Sequence, residues 1–551
     1  MSTGSSFLSL PPELHIKILN YSDSEDIVAT RQTCKHLYDV EKTFHEQIWK
    51  ACLTQINLRV PLFLPTFQAP VSSQCLESIA RRTTRSLEPV FNMQHNHSLS
   101  PHDLQPVPSF ERRILHNHLA NVHPLALYLT PGGRFLLVLT ILWLQVWDLA
   151  PFLESHEPPI FIKKFPVPPS SKSTLMTAGG GDTKAIQIVL KLQRIKYPTN
   201  PPTIELRERF QHPLDQHDQW LSIFVAYELS FSGTEPQLTK LGDLGFIRDE
   251  GSRPDRDHLK ILTESRALFF VDGVMVVWDF RNHAYCAWKV SEGEYDPLDI
   301  TVSALIIYLF LPSVLITLTQ IFASQGNAFY RHQDKLVAFE IPPLNPIQEP
   351  SRRPEILQLS SVPPSPCPSH LIRLPIKHQT PDSDLSLRAF DWMPHWGFKE
   401  SNDIVFLIHE QDRTIHITTW YGLQDTRNPR NSILKPLGRE RVDYPGEYIC
   451  MKTVAREAYG SREVLASLYL HPALGEAHST DSSIFACLSS RHDITQEAHS
   501  PLQTRQSYPV RLLAIPPEAS FFDFDPLSGI LVAAAFNSFR IFDIARPSLP
   551  C

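Results

Sequence analysis

The stretch PLALYLTPGGRFLLVLTILWLQVWD, residues 124–148, decides the class of fold. It contains an apolar run, the turn-forming group Pro-Gly-Gly at 131–133, a second apolar run, and a third run that ends in Trp-Asp at 147–148. Short runs rich in leucine, valine and aromatic residues, separated by a proline-glycine turn, are typical of neighbouring antiparallel strands. The stretch therefore predicts three strands of one small sheet.

The pattern occurs twice more, at residues 266–279, where it ends in Trp-Asp, and at 521–543, where it ends in Phe-Asp. A strand, a glycine turn and a strand that ends in an aromatic residue and aspartate, in this order, resembles one blade of a WD-repeat β-propeller. The resemblance implies a ring of small antiparallel sheets that takes up most of the chain.

The number of blades is estimated from the spacing of the terminal aspartates. Asp148, Asp279 and Asp543 are separated by 131 and 264 residues, a ratio near two. The first interval offers strands for only one additional blade, at 186–192 and 221–229, so a step of roughly 66 residues fits better than the usual blade length of about 40 to 45. The spacing predicts seven blades, with six or eight left open. The remaining blades are expected at 301–341, 387–421 and 448–515.

The sequence of the last blade is too short to contain the outer strand of that blade. Eight residues follow Asp543, which is too few for a turn and a further regular strand. A closed ring leaves no strand edge unpaired. We therefore expect residues 110–118, which precede the first blade, to supply this strand and close the ring.

The first fifty residues follow a helical pattern instead. A proline pair stands where the first turn of a helix has no use for an amide hydrogen, and large apolar residues then recur at four-residue spacing. Capping oxygens and acidic residues at 22–26 start a second helix, and an apolar pattern at three- to four-residue steps continues to Cys52 as a third. A core of this size usually needs a partner to cover its apolar surface. The first apolar stripe consists of Leu10, Leu14 and Ile18.

Five short motifs follow one another in this helical segment, which we place at residues 8–52. They are Leu10-Pro11-x-Glu13-Leu14, Ile18-Leu19-x-Tyr21, Asp26-Ile27, Arg31-x-x-Cys34-Lys35 and Ile48-Trp49. Together they resemble an F-box. The resemblance implies that the helices dock on the Skp-type adaptor of a cullin-RING ubiquitin ligase, while the rest of the chain selects the substrate. The adaptor-binding residues that it implies are Leu10, Pro11, Leu14, Ile27, Val28, Cys34 and Lys35.

Three positions depart from the family pattern. His15 and Ser22 stand where the family usually has leucine, and Leu37 stands where it often has tryptophan. These departures bear on adaptor affinity and leave the helical periodicity intact. The alternative interpretation is an ordinary helical hairpin that packs on its own C-terminal domain.

Two proline-rich stretches divide the rest of the chain. Because a helical segment precedes a long region of strands, the sequence predicts an α+β multidomain protein. Residues 53–107 form a connector whose one convincing helix lies near 76–87, and residues 108–551 form the mainly antiparallel propeller. The stretch 342–381 contains 11 prolines in 40 residues, which predicts a disordered or PPII-like loop because proline cannot run through a central strand. The connector helix carries three arginines expected on a solvated face: Arg81, Arg82 and Arg85.

Composition argues against several classes of function. The 551 residues carry 51 basic and 58 acidic residues, a net charge of −7, without the clustered basic excess of a general nucleic-acid binder. Eight dispersed cysteines without Cys-x-x-Cys indicate free thiols in a reducing compartment. The sequence has no signal peptide pattern and no Gly-x-Ser-x-Gly, His-Glu-x-x-His or Gly-Lys-Ser/Thr motif. We expect a cytoplasmic or nuclear protein without catalytic residues, cofactor or metal site.

One apolar segment leaves a membrane alternative open. No charged residue occurs between Asp299 and Arg331, and residues 304–316 are nearly all apolar, which is the coarse pattern of a membrane span. The membrane alternative would use residues 304–322. Pro312-Ser313 divides the run into two pieces of strand length. We favour two buried strands joined by a turn, and no membrane association.

Two functions remain. The favoured one is a substrate-recognition subunit of a cullin-RING E3 ubiquitin ligase, whose partners are a Skp-type adaptor, through it a cullin, and a protein substrate. The other is an interaction scaffold without ligase activity, in which the F-box-like segment is vestigial or packs on the propeller. Association with the adaptor but not with a cullin would favour the scaffold.

Overall fold

A computed structural model provides the structure of the protein. No helix among its described residues is long and apolar enough to cross a membrane, and the apolar run at 304–320 lies outside them. The described residues are 7–59, 73–85, 110–115, 124–130, 132–140, 142–150, 157–167, 176–180, 185–194, 220–231, 235–248, 258–261, 265–271, 273–290, 321–324, 327–332, 335–346, 355–363, 370–373, 384–389, 404–412, 415–424, 433–443, 449–458, 462–471, 482–490, 504–507, 510–515, 521–525, 528–535 and 538–544.

The described chain begins with helices, and the segment predicted to contain three helices contains four α-helices among its described residues. The third predicted helix is divided in two at Phe44, where the backbone leaves the helical conformation with φ −110° and ψ 24°. The apolar periodicity continues across the break because both pieces face one core. The helices are a 3-10 turn Phe7–Ser9, α1 Pro12–Asn20, α2 Ser24–Thr33, α3 Lys35–Thr43, α4 His45–Arg59 and α5 Ser73–Arg85.

These helices share one apolar core, and we call residues 7–59 and 73–85 the helical unit. Trp49 and Ile48 of α4 are fully buried at its centre, and Leu76 and Ala80 bring α5 against them. Two elements therefore extend beyond the segment predicted at 8–52. The helix α4 continues to Arg59, and α5, which the sequence placed in the connector, packs as part of the same unit.

Strands make up most of the rest of the described chain. In chain order, β1 to β31 are Phe110–Leu115, Pro124–Leu129, Phe135–Thr140, Trp143–Asp148, Ile160–Pro166, Met176–Gly180, Ala185–Arg194, Trp220–Ser230, Gln237–Arg248, His258–Ile261, Arg266–Val271, Val274–Asp279, Ala284–Lys289, Ile321–Ser324, Asn327–His332, Lys335–Glu340, Asn345–Pro346, Glu355–Gln358, His370–Arg373, Asp384–Ala389, Ile404–Asp412, Ile415–Gln424, Ile433–Asp443, Ile449–Ala458, Arg462–His471, Ser482–Ser490, Thr504–Ser507, Val510–Ile515, Phe521–Asp525, Ile530–Ala535 and Ser538–Asp543.

The described strands form seven sheets of four or five strands, each built mainly from consecutive strands. All neighbours are antiparallel except β9 with β18 and β23 with β27. In spatial order, the strands are β2-β3-β4-β5 in sheet 1, β6-β7-β8-β9-β18 in sheet 2, β10-β11-β12-β13-β17 in sheet 3, β14-β15-β16-β19 in sheet 4, β20-β21-β22-β23-β27 in sheet 5, β24-β25-β26-β28 in sheet 6 and β29-β30-β31-β1 in sheet 7.

Sheets 7, 1, 2 and 3 are stacked face to face in this order. Successive side chains of a strand point to opposite faces, so Leu137 of β3 enters a core shared with sheet 2, and Leu136 enters a core shared with sheet 7. Sheets 2 and 3 share a third core, which includes Phe224 and Trp278. Burial on both faces explains why these strands are almost continuously apolar rather than alternating with polar residues.

The strand predicted to precede the first sheet is present. β1 pairs antiparallel with β31, from Phe110 opposite Asp543 to Leu115 opposite Ser538, and it is the outer strand of sheet 7. The fold is thus confirmed as a helical N-terminal unit followed by antiparallel sheets. The closure of seven sheets into one ring stays a prediction.

The loop predicted at 342–381 is corrected by three strands. β17 adds to sheet 3, β18 adds to sheet 2 in parallel orientation, and β19 completes sheet 4. Each is an outermost strand of two to four residues. Proline is tolerated at sheet edges, because an outer strand leaves one row of its backbone groups unpaired, and β18 and β19 fit between the prolines.

Candidate functional site

The two sides of α1 have opposite roles. Ile16 (7% exposed) and Leu19 (2%) face the core of the helical unit. Leu14 and Ile18 are each 44% exposed, and Tyr21, at the end of the same face, is 70% exposed. Residues four and seven positions apart lie on one side of a helix. The predicted apolar stripe is thus real, but it points to solvent rather than to the core.

The exposed apolar surface continues into the 3-10 turn before α1. Phe7 and Leu8 are 44% and 48% exposed. His15 holds this turn to the helix, because its Nε2 lies 2.9 Å from the Phe7 carbonyl oxygen and the two rings are 4.9 Å apart. The side chain of His15 is fully buried, so the histidine that departs from the family's leucine still fills a core position.

The seven residues that the resemblance implied for adaptor binding divide into two groups. Pro11 and Leu14 are exposed, Leu10 is half-buried, and the Pro11 carbonyl accepts the first hydrogen bonds of α1. Ile27 (0% exposed) and Val28 (6%) lie in the core of the helical unit, so their side chains do not belong to its surface. A buried residue of the motif can support the docking surface, but its side chain cannot contact the partner in this conformation.

The last two of these residues lie at the start of α3. Cys34 is the N-cap residue, partly exposed, and its carbonyl accepts a hydrogen bond from Tyr38 N at 3.1 Å. Lys35 is exposed. Tyr38 (46% exposed) in α3 and Phe44 (36%) at its C-cap are further exposed apolar residues of the unit.

Sequence reasoning missed several exposed apolar residues of the unit. Tyr21 continues the four- and three-residue spacing of the stripe and could have been found by extending it by one turn. Phe7 and Leu8 precede the helix and carry no periodic signal. We call the exposed apolar residues of the helical unit the apolar face; it consists of Phe7, Leu8, Leu14, Ile18, Tyr21, Tyr38 and Phe44.

A polar network holds the helices of this unit together. The buried Glu41 carboxylate accepts hydrogen bonds from Trp49 Nε1 at 2.8 Å and lies 2.6 Å from His45 Nδ1. Arg31 of α2 donates two hydrogen bonds to Glu77 of α5, at 2.6 and 2.9 Å, and lies 3.5 Å from Glu41. The network therefore links four helices of the unit.

The charges of this network shift each other's protonation. The hydrogen bond to Glu77 is the main cause that raises the pKa of Arg31. Burial raises the pKa of Glu77, but the hydrogen bonds and charges of Arg31 and Arg81 together outweigh it and hold that pKa below its ordinary value of 4.5. Glu41, His45 and Glu77 offer metal-ligand atoms within 4.8 Å of one another. Arg31 already supplies the positive charge there, so we describe the group as an ion-pair network.

The arginines of α5 are not on a solvated face, which corrects the sequence expectation for Arg81 and Arg82. Arg81 pairs with Glu77 and Glu25 inside the helical unit. Arg82 is 9% exposed and forms an ion pair with Asp543 of β31. The side chain of Arg85 lies outside the described residues. The helical unit thus contacts the last sheet through α5, on an element different from the exposed stripe of α1.

Comparison with known families identifies the first part of the chain. Residues 7–52 match the family model described as F-box-like. The chain therefore carries an F-box-like domain, which includes the apolar face. No curated protein matches the sequence.

Solved structures similar to the chain include a WD40 domain. The WD40 domain of SCAP from fission yeast is 10% identical, with a TM-score of 0.33, and the match covers 78% of this chain and 83% of that chain. Hsv2 from Kluyveromyces lactis is 10% identical, with a TM-score of 0.28 and coverage of 76% and 91%. The core factor of S. cerevisiae is 8% identical, with a TM-score of 0.30 and coverage of 69% and 61%.

Proposed function

We propose that this chain is a substrate-recognition subunit of a cullin-RING E3 ubiquitin ligase. The F-box-like domain would dock on a Skp-type adaptor, and through it on a cullin, while the sheets would bind a protein substrate. One observation carries the proposal: among the side chains that the structure describes, seven of the nine large exposed hydrophobic residues lie between positions 7 and 44. Large exposed apolar residues that gather in one helical unit favour an interaction site there.

In this proposal the adaptor covers the apolar face. Leu14 and Ile18 form its centre, and Leu10, Pro11, Cys34 and Lys35 contribute as the resemblance implied. Ile27 and Val28 act from the core by holding α2 against α1 and α4. A central apolar cluster with a polar rim is the usual anatomy of a specific protein interface, and exposed Glu13 and Lys17 on the same helix would belong to the rim.

The role of the sheets follows from the same proposal. We propose that the seven sheets are blades of one ring within residues 108–551, and that loops at one end of this ring bind the substrate. The chain itself would be non-catalytic and would use no cofactor. It would accelerate ubiquitin transfer by holding the substrate close to a charged enzyme, which raises its effective concentration.

A second candidate is an interaction scaffold without ligase activity, and one contact favours it. The helical unit packs on sheet 7 through Arg82, as expected if the F-box-like domain served the stability of the propeller alone. That contact uses α5, however, and leaves Leu14 and Ile18 exposed. A domain that only stabilised the sheets would not need this exposed apolar stripe, so we favour the ligase subunit.

The two candidates differ in what co-purifies with the full-length protein. Tagged wild-type chain should retain both a Skp-type adaptor and a cullin, and the Leu14→Asp variant should lose both. Proximity labelling with this pair of proteins should show partners that accumulate when adaptor docking is lost, and these are candidate substrates. Retention of the adaptor without a cullin would support the scaffold, and absence of the adaptor from wild-type protein would contradict the ligase proposal.

A further inference from the structure

In two sheets, an arginine of the same sheet holds the aspartate that ends the third strand. In sheet 1, Arg134 donates two hydrogen bonds to Asp148, Nε to Oδ1 at 3.1 Å and Nη2 to Oδ2 at 3.0 Å. In sheet 3, Arg266 Nε lies 3.3 Å from Asp279 Oδ2. Arg266 is the first residue of β11 and stands opposite Asp279 in the strand register. Arg134 comes one residue before β3, next to Phe135, which stands opposite Asp148. The charge of each aspartate is thus neutralised locally.

Sheet 7 has the same aspartate but no arginine in that place. Asp543 ends its third strand, β31, and is fully buried. The positions that correspond to Arg134 and Arg266 are occupied by Gly529 and Ile530. Ile530 stands opposite Asp543 as Arg266 stands opposite Asp279. The Gly529 carbonyl accepts a hydrogen bond from Ile544 N as the Arg134 carbonyl accepts one from Leu149 N. Neither residue can neutralise a carboxylate.

The helical unit supplies a cation at this point. Arg82 of α5 forms an ion pair with Asp543 and donates from Nε to the Ser528 carbonyl oxygen at 2.6 Å. Ser528 belongs to the turn between β29 and β30. Asp525 ends β29 just before this turn, and its Oδ2 accepts a hydrogen bond from Gly132 N of sheet 1 at 3.1 Å. Arg82 therefore reaches the place where the helical unit, the last sheet and the first sheet meet.

We propose that Arg82 is a structural arginine of sheet 7 that is supplied from the helical unit, so that docking of the helical unit through this side chain stabilises sheet 7. A buried carboxylate that loses its paired cation is strongly destabilised. The side chain of Arg82 takes the role that Arg134 and Arg266 take in their own sheets. The helical unit is then an integral part of the sheet assembly, and its removal would open sheet 7. This inference concerns folding and holds whether or not the chain binds an adaptor.

Hydrogen exchange on the full-length protein tests the coupling. Arg82→Met keeps the length of the side chain and removes its charge. Arg81→Met is the matched control, because Arg81 is the neighbouring arginine of the same helix and pairs with Glu77 and Glu25 of the helical unit. Arg82→Met should speed exchange at least tenfold in peptides covering 521–544 and 110–115. Arg81→Met should leave these peptides within twofold of wild type. Equal acceleration by both variants, or none by Arg82→Met, overturns the proposal.

The Asp543→Asn background provides the second readout. Once the buried charge is gone, adding Arg82→Met should change exchange of 521–544 by less than twofold, because interacting groups are not additive. If the accelerations of exchange caused by Asp543→Asn and Arg82→Met multiply in the double variant, Arg82 acts through a contact other than Asp543, and the proposal is overturned. If Arg82→Met yields no folded protein, Arg82→Lys replaces it: a lysine keeps the charge but not the two-point contact, so exchange should rise at least threefold, and exchange equal to wild type overturns the proposal.

Discussion

Replacing Leu14 and Ile18 together by alanine should weaken adaptor binding by about 10- to 80-fold without unfolding the helical unit. Each side chain is 44% exposed in the free protein. Complete burial of a leucine or isoleucine side chain contributes roughly 1.5 to 3 kcal/mol, so covering the remaining 44% contributes about 0.7 to 1.3 kcal/mol for each residue. The pair then contributes about 1.3 to 2.6 kcal/mol, which is one to two decades of Kd.

Titration calorimetry with a purified Skp-type adaptor measures this change in Kd. The control is Glu13→Ala with Lys17→Ala, two exposed residues of the same helix outside the stripe, which should change Kd by less than about threefold because exposed polar rim residues contribute little. The melting temperature of both double variants should stay close to that of wild type. Wild-type affinity in a folded Leu14→Ala, Ile18→Ala variant would refute the assignment of the docking face.

Three further predictions follow from burial and charge. Ile27→Ala should lower the unfolding free energy, measured by urea titration, by roughly 2 to 5 kcal/mol, because Ile27 is fully buried. Unchanged stability together with lost adaptor binding would show that Ile27 contacts the adaptor instead. Burial raises the pKa of Glu77, but Arg31 and Arg81 together outweigh burial and hold this pKa below its ordinary value of 4.5. The ionised Glu77 therefore stabilises the fold above pH 4.5, and this stabilisation is lost as the pH falls through the lowered pKa. Glu77→Gln should reduce the loss of melting temperature between about pH 6 and 3, and an unchanged pH dependence would refute the assignment. Burial raises the pKa of the Cys286 thiol to about 12. Iodoacetamide at about pH 8 should therefore label the partly exposed Cys34 of the native protein and leave Cys286 unlabelled, as measured by peptide mass spectrometry. Early labelling of Cys286 would contradict this expectation.

The sequence predicted the strands well where their period and turns are local. The runs around Trp147 and Trp278 became the middle strands of sheets 1 and 3. The outer strand of sheet 7 was predicted from topology alone, because an unpaired edge had to be covered. The apolar face was found only in part. The helix α1 carries apolar residues on both sides, and periodicity cannot tell which side is covered by the rest of the protein.

Two features had no local signal. Arg82 resembles any surface arginine of an amphipathic helix, and its partner Ser528 lies 446 residues away in the chain. The strands within 342–381 are two to four residues long, so proline content dominated the prediction there. Contacts between distant parts of the chain decide both cases, and neither propensity nor spacing contains that information.

The central claim is that the apolar face binds a Skp-type adaptor. Size-exclusion chromatography with light scattering on the full-length chain and purified adaptor, both at micromolar concentration, tests it most directly. We expect a complex whose mass exceeds the 62.8 kDa of the chain by that of one adaptor, and we expect this complex to be lost in the folded Leu14→Asp, Ile18→Asp variant. Separate elution of wild-type chain and adaptor, or an undiminished complex with the variant, would contradict the account.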